Sequence, residues 1–134
     1  MAAFNSNILQ QTIFIPLNGD ATLGALITGV YNHVPADTPL PYIVLGKTTY
    51  QDYSTVTTNQ FETHFTLHIF SREAGNKEGQ EIMERVHTLL HDTNPAMTGY
   101  TLVNLRFVSS DIQLEDDGVT YHATMRLRAV VEEA

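Results

Sequence analysis

The hydrophobic and polar positions of this chain fall into alternating runs more clearly than into helical stripes. From Phe61 to Ser71, the residues Phe61, Thr63, Phe65, Leu67 and Ile69 share one side of a period-2 pattern, while Glu62, His64, Thr66 and His68 share the other. Successive strand side chains point to opposite faces, so the pattern predicts a half-buried antiparallel strand. Val119 to Val131 alternates more regularly still, with Tyr121, Ala123, Met125, Leu127 and Ala129 against Thr120, His122, Thr124, Arg126 and Arg128. Tyr100 to Leu114 reads as a further strand, with Val103, Leu105 and Phe107 facing one way and Asn104, Arg106 and Val108 the other. Tyr42-Ile43-Val44-Leu45 is a continuous apolar run suited to a strand covered on both faces, and Thr48 to Tyr53 extends it past Gly46 as a more polar arm.

Helical spacing is clearest at Ile82, Met83, Val86, Leu89 and Leu90, which form one apolar stripe on a helix capped near Asn76, ending near Asp92 and followed by Asn94-Pro95. Two short helices are predicted before the strands. The first begins at Ser6 or Asn7 and is stopped by Pro16 with Asn18-Gly19; the second runs from Ala21 to Thr28, with Asp20 as its N-cap and Gly29 beyond its end. Pro35, Pro39 and Pro41 hold the following connector extended, while Ser54 to Asn59 and Asp116-Asp117-Gly118 supply hairpin turns. The order α-α-β-β-α-β-β predicts an α+β two-layer sandwich. Its four-stranded antiparallel sheet carries one amphipathic helix, with an N-terminal helical pair beside it.

Composition narrows the function. A chain of 134 residues is about the size of one domain. Seven Lys and Arg against 15 Asp and Glu give a formal net charge of −8, which argues against gripping nucleic acid through its phosphates. The same charge suits a surface past which nucleic acid slides without adhering. The absence of cysteine removes disulfides, thiolate metal sites and a cysteine nucleophile. With neither a signal-peptide pattern nor an apolar run long enough to span a bilayer, the expected compartment is cytoplasm-like, without a membrane partner.

Candidate chemistry is sparse. Glu84, His87 and His91 share a helix face on which a carboxylate and two imidazoles suit a divalent cation, but the spacing departs from His-Glu-x-x-His, and an exposed helix face is the preferred reading. His64, His68 and His122 fall on the polar faces of two strands, which raises the alternative of a small ligand-binding or enzymatic α+β domain working from that face. No residue is positioned by the pattern to orient a base and supply a nucleophile, so no catalytic, cofactor or metal site is assigned. Arg106, Arg126 and Arg128 are read as pairing with Glu62 across the sheet, or with acidic groups of a neighbouring subunit. The uncharged, aromatic and Thr-rich arm with Tyr50, Tyr53, Thr55, Thr57 and Thr58, and the long final strand, offer side chains or edges to neighbours.

Several stretches taken in order resemble the small tail-completion, or tail-terminator, proteins of long-tailed bacteriophages and gene transfer agents. They are Val30-Tyr31-Asn32-His33-Val34-Pro35, Pro41 to Gly46, Thr66 to Ser71, Leu89-Leu90-His91, and Asp117-Gly118 with Tyr121-His122-Ala123, within a match from about Ile8 to Val131. The resemblance departs at Phe70, where relatives often carry Trp, and around Arg72 to Lys77, where they are more basic. It implies a non-enzymatic virion subunit that forms a ring, usually a hexamer, on the head-proximal end of the tail tube. It also implies a tail-tube protein and a head connector or stopper as partners, DNA passing without specific binding, no cofactor, and assembly in the bacterial cytoplasm. On this reading the candidate contacts are Lys47, Thr48, Tyr50, Asp52, Tyr53 and Thr55 of the arm, with Asp116 and Asp117 of the last turn.

Overall fold

The computed structural model describes residues 6–72, 77–93, 97 and 99–133. Its elements are α1 (Ser6–Gly19), α2 (Ala21–Gly24), β1 (Val30–Tyr31), β2 (Tyr42–Asp52), β3 (Gln60–Ser71), α3 (Lys77–Leu90), β4 (Tyr100–Leu114) and β5 (Tyr121–Glu133). The α+β expectation holds, but the sheet has five strands in the order β1-β2-β3-β5-β4. It is mixed rather than purely antiparallel, because β1 pairs with β2 in parallel.

The alternation in β3 and β5 does what it predicted. Phe61, Thr63, Phe65, Leu67 and Ile69 are buried, as are Ala123, Met125, Leu127, Ala129 and Val131 of the neighbouring strand. Against this face α3 sets Ile82, Val86 and Leu90, and α1 adds Leu9, Ile13 and Leu17 to the same core. The hydroxyl of Thr63 enters this apolar layer because it donates to the Ala129 carbonyl at 3.1 Å. The other face of the sheet carries no helix among the described residues.

Five expectations need correction, each for a local reason. Of the stop assigned to Pro16 with Asn18-Gly19, only the second part holds: α1 runs through Pro16 and ends at Gly19, the ring removing one backbone hydrogen bond while the buried Leu17 beside it holds the helix to the core. The second helix is four residues long instead of extending to Thr28. Leu26 and Ile27 both turn back onto the Leu23 carbonyl, and the Thr28 N–H leaves for Pro41 O at 2.8 Å. A two-residue strand, β1, carries too few positions to show any period. In β4, register shifts at Val103 and Val108 push both side chains outward, so Leu102 takes the core position expected of Val103. The last strand begins at Tyr121, since the Asp117 carboxylate accepts the N–H groups of Val119 and Thr120 and keeps them in the turn. The Asn76 cap and Asn94-Pro95 lie outside the described residues.

Asp20 caps α2 as expected, with Oδ2 accepting from Leu23 N at 2.8 Å. It does a second thing that the sequence did not announce: its two oxygens accept from Nε and Nη2 of Arg85 at 2.9 and 2.8 Å, pinning the helical corner to α3. The Arg85 guanidinium, with the Leu23 N–H behind it, holds the Asp20 carboxyl down at about 2.

Candidate functional site

The helix-free face of the sheet is a paired polar surface. Glu62 Oε2 accepts from Arg128 Nε at 2.9 Å, and Glu62 Oε1 accepts from Gln51 Nε2 at 3.0 Å and lies 3.2 Å from His64 Nε2. Arg128 first, then His64, holds the Glu62 carboxyl below its ordinary range. The Glu62–Arg128 pair is the cross-strand pair expected. Arg126 meets Asp111 at 2.9 Å and Arg106 lies 3.8 Å from Asp92, so these two arginines also have acidic partners within the chain. A shallow groove of about 260 Å³ crosses this face between Lys47, Thr49, His64, Thr66, Val108 and Arg126.

The three strand histidines separate. His64 stays with Glu62, whereas His68 Nδ1 and His122 Nε2 approach to 2.7 Å, and His122 Nδ1 takes Glu115 Oε1 at 2.8 Å. Phe70 stacks on His122 with ring centroids 4.5 Å apart. Glu115 is the orienting acid that spacing alone did not reveal, because the turn brings it back over β5. Among the described residues the pair activates no hydroxyl: Thr124 Oγ1 is 3.5 Å from a His122 nitrogen already engaged by His68.

Burial, then the neighbouring His122 and Arg126, keeps His68 below the ordinary imidazole value. A group that binds protons less readily when folded contributes stability at pH above its unfolded value and loses it as pH falls. Glu115 faces the pair through His122, at 2.8 Å. Wild type is therefore expected to lose melting temperature between pH 7 and pH 5, and His68→Gln to lose less. An equal drop in both proteins, followed by calorimetry, would remove this role for His68.

Of Glu84, His87 and His91, the two histidines pack against β4 while Glu84 stays exposed, so the helix face is only partly the exposed one expected. His91 Nδ1 accepts the Phe107 N–H at 3.0 Å and His87 stacks on the His91 ring at 4.6 Å. No group of three or more His, Asp or Glu side chains among the described residues is arranged around a metal position.

The candidate contact residues occupy two ends of the sheet rather than one patch. On the arm, Tyr50 and Tyr53 are half exposed and Val56 fully so. Arg128 lies over the Tyr53 ring at 5.7 Å. The tip is closed by hydrogen bonds: Asp52 accepts from Ser54 N, Ser54 Oγ accepts from Gln60 N, and Thr55 N donates to Thr58 O. Lys47 and Thr48 sit lower, at a register shift in β2. Asp116 and Asp117 lie at the opposite end, beyond the row where Leu114 and Ser71 face Tyr121. Asp117 is spent locally: the Thr120 hydroxyl and two backbone N–H groups hold its carboxyl at about 2. Exposed Asp116 is left as the outward acid of that turn. Ten residues of β5 separate Tyr121 from Val131, roughly 33 Å.

One strand expectation changes here. The long regular β5 is central, paired on both sides, and the sheet is instead bounded by β4 and by β1 with the distal half of β2. Among the described residues no helix is long and apolar enough to cross a membrane.

The described residues give an α+β module with a self-paired polar face, two sheet borders and a projecting arm. Comparison with known proteins gives the particular kind. The family described as "Tail completion protein gp17" matches residues 11–132, so the chain belongs to that tail-completion family of phages and gene transfer agents. Tail completion protein gp17 of Bacillus phage SPP1 is 24% identical over 126 residues, covering 94% of this chain and 93% of that protein. A chain from the virion of a native gene transfer agent particle superposes with a TM-score of 0.88 at 25% identity, over 98% of this chain and 99% of that one. The protein is thus a structural virion-type component and not an enzyme.

Proposed function

We propose that the protein closes the head-proximal end of a phage-type tail tube as a homo-oligomeric ring, six-membered as the family resemblance implies, and joins that tube to a head connector. The observation that supports this reading is the match along nearly the whole chain to a tail completion protein and to a chain of a gene transfer agent virion. Head-to-tail contacts between identical copies close into a ring when the rotation allows, and a closed ring covers the surface on which the next tube layer would dock. In this scheme the arm meets its neighbours along its length, Lys47 through Tyr50 and Asp52 on the next subunit and the tip with Tyr53 and Thr55 on one axial partner, and Asp116 with its turn meets the other. The net charge of −8 keeps a passing genome from adhering.

The test is tube growth in vitro. Purified protein added in substoichiometric amount to polymerising tube protein is expected to arrest elongation. A variant with Tyr53–Asn59 replaced by Asn-Gly is expected to need at least about tenfold more protein for the same arrest, as loss of one or two interface anchors would require. Tubes that lengthen normally, with protein that stays monomeric by light scattering both free and mixed with tube protein, would refute the reading.

A further inference from the structure

Among the described residues, both borders of the sheet are half covered by the chain itself and half without a strand partner. On β4, Met97 bridges Tyr100, Asp92 N donates to Leu105 O at 2.8 Å, and His91 Nδ1 takes the Phe107 N–H at 3.0 Å. Met97, Asp92 and the His91 side chain thus occupy groups of this border as far as Phe107. Past the Val108 shift, Ser109 to Leu114 pairs in uninterrupted register with β5 on one side and has no strand on the other. On β2, the Gly29–Tyr31 segment covers Ile43 and Val44. Past the shift at Gly46 and Lys47, the backbone of Thr48 to Asp52 pairs regularly with β3, and no described strand lies along its outer side.

Bare strand edges invite another chain, and proteins that must remain single blunt them with proline, lysine or a cover. Here the cover stops halfway on each border. The segments Thr48-Thr49-Tyr50-Gln51-Asp52 and Ser109-Ser110-Asp111-Ile112-Gln113-Leu114 hold no proline, lysine or arginine. They are of similar length, lie on opposite borders, and run in opposite directions, since β2, β3, β5 and β4 are antiparallel in succession. A second copy placed beside the first with the same face outward therefore brings the two segments together as an antiparallel pair.

We infer that neighbouring copies are joined by strand addition, Thr48–Asp52 of one protomer pairing with Ser109–Leu114 of the next, in a register that sets Tyr50 opposite Ile112. This deepens the ring reading above and rests on it. The stagger it requires is defined by the sheet's own rows: Tyr50 shares a row with Ala129, and Ile112 shares one with Ala123. Six residues of rise, roughly 20 Å, over the four strand columns that each protomer adds, roughly 19 Å because β1 shares its column with the neighbour's β4, inclines the strands by about 46° to the ring axis. Closed barrels tilt their strands by about 35–45°, so the stagger lies at the upper end of what closure demands.

The cysteine-free chain makes the test direct. Thr49 and Gln113 are both exposed, and the proposed register places them opposite one another. Mild oxidation of the Thr49→Cys, Gln113→Cys double variant, free and mixed with tube protein, is expected to move most of the chain into a ladder of disulfide-linked multimers ending at the ring size. Each single variant alone should yield none, and a mixture of the two should stop at dimers. Disulfide dimers from Gln113→Cys alone would show two-fold β4 pairing and overturn the proposal. Oligomers seen by light scattering without a covalent ladder would overturn it while leaving the ring reading intact. Monomers under both conditions would sink the ring reading and, with it, this one.

Discussion

Replacing Gly46 with valine is expected to destabilise the protein by about 3 kcal/mol, the upper end of ordinary overpacking, and to scramble the polar face at the same time. A β-carbon at this position would lie 2.5 Å from His68 Nε2 and still closer to the Thr66 hydroxyl. Neither neighbour is free to yield. The His68 ring is held by His122, and Thr66 is branched at its β-carbon and donates to the Lys47 carbonyl at 3.3 Å. Glycine here lets one strand pass beneath the side chains of the next, just where the register of β2 shifts and the arm begins. The measurement is denaturant unfolding alongside imidazole proton spectra. A variant with wild-type stability and an unchanged His68–His122 signature would show that the arm relaxes freely at this point.

Truncating Leu67 to alanine is expected to have a comparable or larger effect, about 2–5 kcal/mol. Leu67 is fully buried at the middle of β3, between Leu45 of β2 and Met125 of β5, beneath the helix that brings Ile82 and Val86. Deleting its branch leaves a void that sheet hydrogen bonds on both sides prevent from collapsing. For a domain of this size the melting temperature should fall by roughly 10 °C. A fall of only a degree or two would mean that α3 does not seat on the sheet as described.

Much of this architecture was legible before any coordinates because one face of the sheet is covered and the other is not. That asymmetry writes a period of two into β3 and β5, and it anticipated both the buried set and the Glu62–Arg128 pair on the opposite face. What escaped were features decided at a distance. The length of α2 depends on where Pro41 offers its carbonyl to Thr28, and β1 exists only because β2 lies alongside it. Strand order depends on where the α3 connection lands, and no local pattern distinguishes a central strand from a border one when both are long. In the candidate site the same limit applies. The arm with Lys47, Thr48, Tyr50, Asp52, Tyr53 and Thr55 and the last turn with Asp116 and Asp117 carry no local signal of their relative placement, and pairing sends them to opposite ends. Glu115 and His91 found their partners, His122 and Phe107, only through tertiary folding.

The separation of the arm from the last turn has a mechanical side. Both are extremities of one ladder, twelve consecutive rungs of β3 against β5 from Gln60–Glu132 to Ser71–Tyr121 with no register shift. The flanking strands take up irregularity at Gly46–Lys47, Val103 and Val108, and the central pair takes up none. By its continuous pairing the central ladder ties the arm to the Asp116 end without an interruption along its length. A ring of such ladders would tie the tube end to whatever sits above it with no hinge between.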